Sequence, residues 1–134
     1  MKVVIDTNVF VSGIFWKGPP AAVLDAWRDG HIEIVLSPAI LDEYQRVGTE
    51  LHRLFPVVDI SPILAMLAMN SRMVQDSDLP EPACSDPTDD MFIAAAIAGG
   101  ADYIISGDKA LLKVREYDGI SIVAPSTFVR TCLR

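Results

Sequence analysis

Residues 3–8 read Val3-Val4-Ile5-Asp6-Thr7-Asn8, a short β-branched run that ends at three polar side chains. The run is too short for a helix, and it favours a buried strand followed by a turn. Beyond it, strand-length apolar runs alternate with segments whose apolar residues have helical spacing. Such alternation is typical of a parallel sheet that helices cover on both faces. The sequence therefore predicts an α/β protein with a central parallel sheet.

N-cap residues and prolines indicate where the remaining predicted helices begin. Ser37-Pro38 and Ser61-Pro62 each read as an N-cap followed by proline at the first helical position, and Thr88 and Asp108 read as caps. The helix after Ser37 is expected to bury the stripe Leu41, Tyr44, Val47 and Leu51. The predicted strands are 3–5, 32–36, 73–74, 103–105 and 120–123, and the predicted helices lie at 22–29, after 37, after 61, 89–98, after 108 and 126–133. Residues 75–87 predict a long surface loop that borders a site.

Composition limits the classes of protein. The 134 residues are 51% hydrophobic and 22% charged, which indicates a single globular domain over 1–134. The longest uncharged apolar stretch, 91–101, is about half of the roughly 20 residues that a membrane span needs, so no membrane partner is expected. Two cysteines without CxxC spacing indicate a reducing cytoplasm. The net charge of −7 argues against a surface built mainly as a basic nucleic-acid platform.

Acidic side chains lie where a parallel sheet binds its ligands, beyond the carboxyl ends of the strands. Asp6 follows the first strand and Asp108 the fourth, so we expect both on one rim. Asp90 begins an otherwise apolar helix, and neither Asp6 nor Asp90 has a basic residue nearby in sequence. Converging carboxylates raise each other's pKa values unless a cation lies among them.

Each acid, taken singly, also has a purely structural explanation. Asp6 and Asp108 can act as N-caps, Asp89 and Asp90 lie where a helix dipole favours negative charge, and Glu43 can be a solvated surface residue. Their combination points instead to a hard divalent cation, since an all-oxygen ligand set selects Mg²⁺ or Mn²⁺. Such an ion activates water and neutralises phosphate oxygens, so phosphoester hydrolysis is the expected chemistry.

Four segments, in order along the chain, resemble the segments that carry the acidic residues of PIN-domain ribonucleases. They are VVIDTNVF (residues 3–10), LDEYQRV (41–47), DMFIAAA (90–96) and YIISGDK (103–109). They span nearly the whole chain. By pattern, the most similar subgroup is the VapC-like toxin component of toxin-antitoxin systems.

The resemblance implies a three-layer α/β/α sandwich and a metal-dependent endoribonuclease that holds one or two Mg²⁺ or Mn²⁺ ions. Carried over residue by residue, it assigns catalysis and metal binding to four acids and a supporting role to two polar residues. The acids are Asp6, Glu43, Asp90 and Asp108, and the supporting residues are Asn8 and Ser106. Many relatives have a further aspartate where this chain has Ala110. The part of the metal site around Asp108 is therefore expected to bind the ion more weakly or to use Asp86 or Asp89.

The expected partners are an RNA substrate, an antitoxin protein and a second copy of the chain, as the resemblance implies. RNA requires positive charge along its backbone. The residues expected to supply it are Lys17, Arg46, Lys109 and Lys113. Trp16, beside Lys17, is a candidate for stacking on an unpaired base.

Two alternatives stay open. A phosphohydrolase of the haloacid dehalogenase kind also begins with an aspartate after its first strand, but it needs a second acid two residues later, where this chain has Asn8. A degenerate PIN-like module would only bind a protein partner. Ala110 favours that second alternative, and the intact acids argue against it.

Overall fold

The computed structural model describes residues 1–133 and arranges them around a six-stranded sheet. The strands are β1 (Lys2–Ile5), β2 (Glu33–Leu36), β3 (Arg72–Met73), β4 (Tyr103–Ile105), β5 (Glu116–Tyr117) and β6 (Ile120–Val123). Their order across the sheet is β3-β2-β1-β4-β6-β5. Every neighbouring pair is parallel except β5 and β6, which are antiparallel.

Helices cover the two faces of this sheet. They are α1 (Thr7–Phe15), α2 (Pro19–Arg28), α3 (Pro38–Leu54), α4 (Ser61–Asn70), α5 (Asp90–Gly99), α6 (Lys109–Val114) and α7 (Pro125–Cys132). Right-handed crossovers place the helices that link β1, β2 and β3 on one face, and α5, which returns the chain to β4, on the other. Helix α5 accordingly packs against β1, β2 and β4. The predicted α/β class, with a sheet between helical layers, is confirmed.

The turn expected after the first strand is in fact the start of a helix. Helix α1 begins at Thr7, and the Asp6 side chain caps it by accepting the Val9 N–H at 2.9 Å. The polar residues Thr7 and Asn8 obscure this helix in the sequence, because the cap leaves no loop between β1 and α1. The proposed capping role of Asp6 is therefore correct, and so is that of Asp108, whose carboxylate accepts the Leu111 N–H.

The buried stripe of α3 differs from the expected one. Only Tyr44 of the four expected residues is buried, while Leu41, Val47 and Leu51 are half-buried. The buried positions are Ile40, Tyr44 and Gly48. Gly48 belongs to the stripe because α3 meets Ile60 there, and a Cβ at this position would lie 2.5 Å from Ile60 Cδ1. Hydrophobic periodicity alone does not identify such a glycine as a buried position.

Two expected caps and one strand differ from the prediction. Ser61 is the first residue of α4 rather than its N-cap, which is Ile60. Thr88 does not cap α5, because it lies inside a 3₁₀ turn, Pro87–Asp89, whose N-cap is Asp86. Strand β5 is not predicted from the sequence; it pairs with β6 across a turn where Asp118 and Gly119 adopt positive φ.

The direction of the crossovers changes between β1 and β4, because the chain runs from β1 towards β2 and β3 and then returns to β4 on the other side. Such a switch point opens a crevice at the carboxyl ends of the strands. Asp6 and Ser106 are the first residues beyond these two strands. The fold therefore places them side by side at the crevice.

Within residues 1–133, no helix is long and apolar enough to cross a membrane. A single domain over 1–134 stays a prediction, and its last residue, Arg134, lies outside the described residues.

Candidate active site

A buried carboxylate and a buried hydroxyl form the floor of the crevice. Asp6 is 3% exposed and Ser106 is fully buried. The Ser106 hydroxyl donates to Asp6 Oδ2 and accepts the Asp108 N–H at 2.9 Å. Ser106 thus joins the acid that follows β1 to the acid that caps α6, and its supporting role stays a prediction.

Burial raises the pKa of Asp6 above its ordinary value of 3.8. Hydrogen bonds from Ser106 and from the backbone N–H groups of Val9 and Gly107 partly offset this effect, while the charge of Asp108 adds to it. Desolvation is the largest cause, so the Asp6 carboxylate lacks enough stabilising partners within the chain.

Asp89 and Asp108 line the same pocket as Asp6. Burial raises the pKa of Asp89 to about 7, and a hydrogen bond shared with Asp108 and the charges of Asp108, Asp86 and Asp6 act in the same direction. Burial and the neighbouring negative charges therefore disfavour the ionised form of Asp89. A divalent cation bound in the pocket would favour the ionised form of Asp89.

Glu43 enters the same pocket from α3. Its carboxylate is bound by the Arg46 guanidinium one turn later on the helix. The pocket has a volume of about 510 Å³ and opens to solvent. Its polar and charged lining residues include Asp6, Thr7, Asn8, Glu43, Arg46, Asp86, Asp89 and Asp108.

Asp90 is directed away from this pocket, although it is adjacent to Asp89. Its carboxylate accepts the N–H groups of Ala83 at 3.2 Å and Cys84 at 2.9 Å, so it fastens the 75–87 loop to the start of α5. Asp90 lines an adjoining groove of about 660 Å³, which also contains Glu43, Asp76 and Asp78. The loop does border a cavity, and Glu43 lies between that groove and the acidic pocket.

The predicted RNA-binding residues lie at different distances from the acidic pocket. Arg46 lines the acidic pocket, and Asn8 lies on the same wall at the start of α1. Lys109 and Lys113 are exposed on α6, which begins directly after Asp108. Lys17 is exposed beyond the far end of α1, beside Trp16, which is 66% exposed.

The donor atoms of the pocket suit a hard cation. They are carboxylate and hydroxyl oxygens, the chemistry that Mg²⁺ and Mn²⁺ prefer. Thr7 adds a buried hydroxyl oxygen that has no hydrogen-bond partner. Among the described residues, no three Asp, Glu, His or Cys side chains already converge into a coordination cluster. Glu43 is held by Arg46 and Asp90 by the loop, so a cation would draw on Asp6, Asp89 and Asp108 first.

The family model for the PIN domain matches residues 2–110, which includes every carboxylate described above. The chain therefore belongs to the PIN-domain family. PIN domains are typically nucleases, so membership indicates a nuclease and counts against the haloacid dehalogenase alternative.

The chain is also similar to two individual proteins. The uncharacterized protein MJ1680 of Methanocaldococcus jannaschii is 31% identical over 127 residues, an alignment that covers 87% of this chain and 76% of that protein. The crystal structure of PAE2754 from Pyrobaculum aerophilum superposes with a TM-score of 0.63 at 16% identity, and the match covers 100% of this chain and 91% of the other. At that identity the likeness shows the fold alone.

Sequence reasoning gave Asp89 only a substitute role and placed Asp90 in the metal site. The proximity of Asp89 to Asp108 was not visible in the sequence. The signal that could have favoured Asp89 is the stretch Asp86-Pro87-Thr88, since a 3₁₀ turn capped by Asp86 rotates the start of α5. The catalytic role of each acid stays a prediction.

The raised pKa of Asp89 predicts a pH dependence of stability in the absence of divalent ions. The folded protein retains a proton up to about pH 7 that the unfolded chain loses near pH 3.8, so the contribution is present below the lower pKa and is lost as pH rises through the upper one. The wild type should therefore lose more stability towards urea than Asp89→Asn as pH rises from about 5 to about 8. Equal losses in the two proteins, measured with chelator present, would contradict the assignment.

Proposed function

We propose that the protein is a metal-dependent endoribonuclease that hydrolyses RNA phosphodiester bonds at the Asp6 pocket. The observation that carries the proposal is the buried carboxylate of Asp6, which shares a pocket with Asp89 and Asp108 at the switch point of a PIN-domain fold. This concentration of negative charge is unfavourable in the isolated chain and becomes favourable with a divalent cation. Mg²⁺ or Mn²⁺, as one or two ions, is the proposed cofactor.

When bound, the cation would supply an activated water and neutralise phosphate charge. Asp6, Asp89 and Asp108 would hold it, and Ser106 fixes Asp6 and Asp108 relative to each other. Glu43, released from Arg46, would become available to the cation or to the attacking water. Arg46 would then be free to bind an RNA phosphate. Asn8 offers an exposed amide on the same wall and is proposed to orient the substrate.

Removal of the Asp6 charge tests the proposal. Asp6→Asn should abolish most of the Mg²⁺- or Mn²⁺-dependent cleavage of labelled single-stranded RNA, by more than the roughly 10- to 100-fold that loss of an outer partner of a metal ligand costs. Asp42→Asn is the matched control, because Asp42 is exposed beside Glu43 on α3 and lines neither cavity. Cleavage that persists in chelator or in Asp6→Asn would refute the proposal.

Substitutions of the adjacent residues Asp89 and Asp90 are expected to have different effects. Asp89→Asn should lower cleavage by about 10-fold or more at saturating RNA, since it removes a carboxylate from the pocket. Asp90→Asn should mainly reduce stability, by about 1 kcal/mol, because the loop N–H groups lose a charged acceptor. The comparison uses initial rates and urea midpoints of both variants. A larger rate loss in Asp90→Asn would restore the ligand set expected from the sequence.

Arg46 and Arg53 form a matched pair for RNA binding. Each binds a glutamate three residues earlier on α3, but only Arg46 lines the pocket. In an Asp6→Asn background, Arg46→Ala should weaken binding of single-stranded RNA and reduce the slope of log affinity against log salt by about 0.7. Arg53→Ala should leave both unchanged in fluorescence anisotropy. Identical behaviour of the two variants would remove Arg46 from the substrate path.

Lys109 and Lys113 extend the proposed RNA path along α6, and Lys17 with Trp16 is the more distant candidate.

We assign the protein, as part of the same proposal, to the toxin components of toxin-antitoxin systems, with an antitoxin and a second copy as partners and the cytoplasm as location. Exposed apolar side chains near the α3–α4 connection support a protein contact, since such patches mark interaction surfaces. Phe55 is 56% and Val57 is 95% exposed.

A further inference from the structure

Tyr44 occupies an unusual place beside the acidic pocket. It lies on α3, is 1% exposed, and is the largest side chain buried to this extent within residues 1–133. Its ring stacks on Phe10 of α1 with centroids 4.2 Å apart and an interplanar angle of 11°. Its hydroxyl donates to the backbone carbonyl of Ile5 at the end of β1. Tyr44 therefore connects three elements that meet at Asp6.

The hydroxyl acts on the peptide group that precedes Asp6. The N–H of that peptide, from Asp6, donates to the Ile105 carbonyl of β4 at 3.0 Å. On the other side, the pairing of β1 with β2 joins Lys2 to Glu33 and Val3 to Ile34, so Ile5 lies beyond it. The Ile5 carbonyl accepts from Tyr44 there. Both polar groups of this peptide are thus held, which fixes the direction in which the Asp6 side chain leaves the backbone.

Core packing alone does not account for this hydroxyl. A phenylalanine would stack on Phe10 equally well, and burying a hydroxyl is unfavourable unless it is hydrogen-bonded. Its partner is the backbone of the candidate site. Tyr44 also follows Glu43 directly in α3, so a single helical turn presents Glu43 to the pocket and holds the peptide of Asp6.

We infer that Tyr44 is a positioning residue, whose hydroxyl sets Asp6 relative to Glu43. As a statement about catalysis, the inference rests on the nuclease function proposed above. A displacement of about 1 Å in a catalytic group can reduce the rate by about 100-fold, so a single hydrogen bond at this peptide is sufficient to matter.

Tyr44→Phe tests the inference because it removes only the hydroxyl. The matched control is Tyr103→Phe, since Tyr103 lies at the start of β4, at the opposite end of the strand from Ser106, and packs edge-on against Phe128. Amide hydrogen exchange at Asp6 is the first readout and should accelerate by about 10-fold or more in Tyr44→Phe. Steady-state RNA cleavage is the second: kcat should fall by about 10-fold while KM stays within about twofold. Tyr103→Phe should change none of these quantities.

The two readouts separate the inference from the proposed function. Unchanged exchange at Asp6 in Tyr44→Phe would overturn the inference, as would a loss of kcat of equal size in Tyr103→Phe. If the wild type does not cleave RNA, the proposed function fails, and exchange at Asp6 alone then decides whether Tyr44 positions this residue. Accelerated exchange that spreads over the whole sheet would show a general loss of stability and would also count against it.

Discussion

The pairing of β1 with β4 is the interaction on which the rest of the site depends. Its parallel register sets Ile5 opposite Ile105, so the residues that follow, Asp6 and Ser106, leave the sheet side by side. The hydrogen bond between their side chains follows from this register. A shift of one residue would turn one of the two side chains to the opposite face of the sheet. The proposed chemistry therefore begins with strand pairing in the core.

Part of the negative charge of the chain is concentrated in the pocket that this strand pairing forms. The chain carries a net charge of −7, which argues against broad electrostatic binding of RNA. Several of its acids are concentrated in one pocket, where burial and mutual repulsion raise the pKa values of Asp6 and Asp89. A divalent cation would convert this pocket into a phosphate-binding element. Locally focused charge, rather than a basic surface, would thus allow an acidic protein to bind an RNA substrate.

Much of this architecture could be predicted from the sequence, for identifiable reasons. Buried parallel strands are continuous apolar runs, so the first polar residue after each run marks the carboxyl edge of the sheet; this rule placed Asp6 and Asp108 at that edge, whereas Ser106 was expected from the PIN-domain resemblance. The PIN-domain resemblance, carried by four segments, was confirmed by the family match. Helix α1 was missed because its cap directly follows β1 and leaves no loop to mark a boundary.

Apolar periodicity could not decide whether Asp89 or Asp90 faces the pocket. Successive residues of a helix point about 100° apart, so either acid could face the pocket depending on how α5 is rotated. That rotation is set by the 3₁₀ turn before α5 and by the N–H groups of Ala83 and Cys84, which bind Asp90. These contacts are tertiary, and no periodicity records them. The distribution of roles between the two acids is accordingly a proposal drawn from geometry.

The central claim is that the Asp6 pocket holds a divalent cation. Anomalous diffraction from crystals soaked in Mn²⁺ tests it most directly, because the scattering locates the ion independently of any assay. The account predicts a peak in contact with the carboxylates of Asp6 and of Asp89 or Asp108, and the loss of that peak in Asp6→Asn crystals soaked in the same way. A wild-type crystal that shows no peak in this pocket under saturating Mn²⁺, or shows one only among Asp90, Asp76 and Asp78, would contradict it.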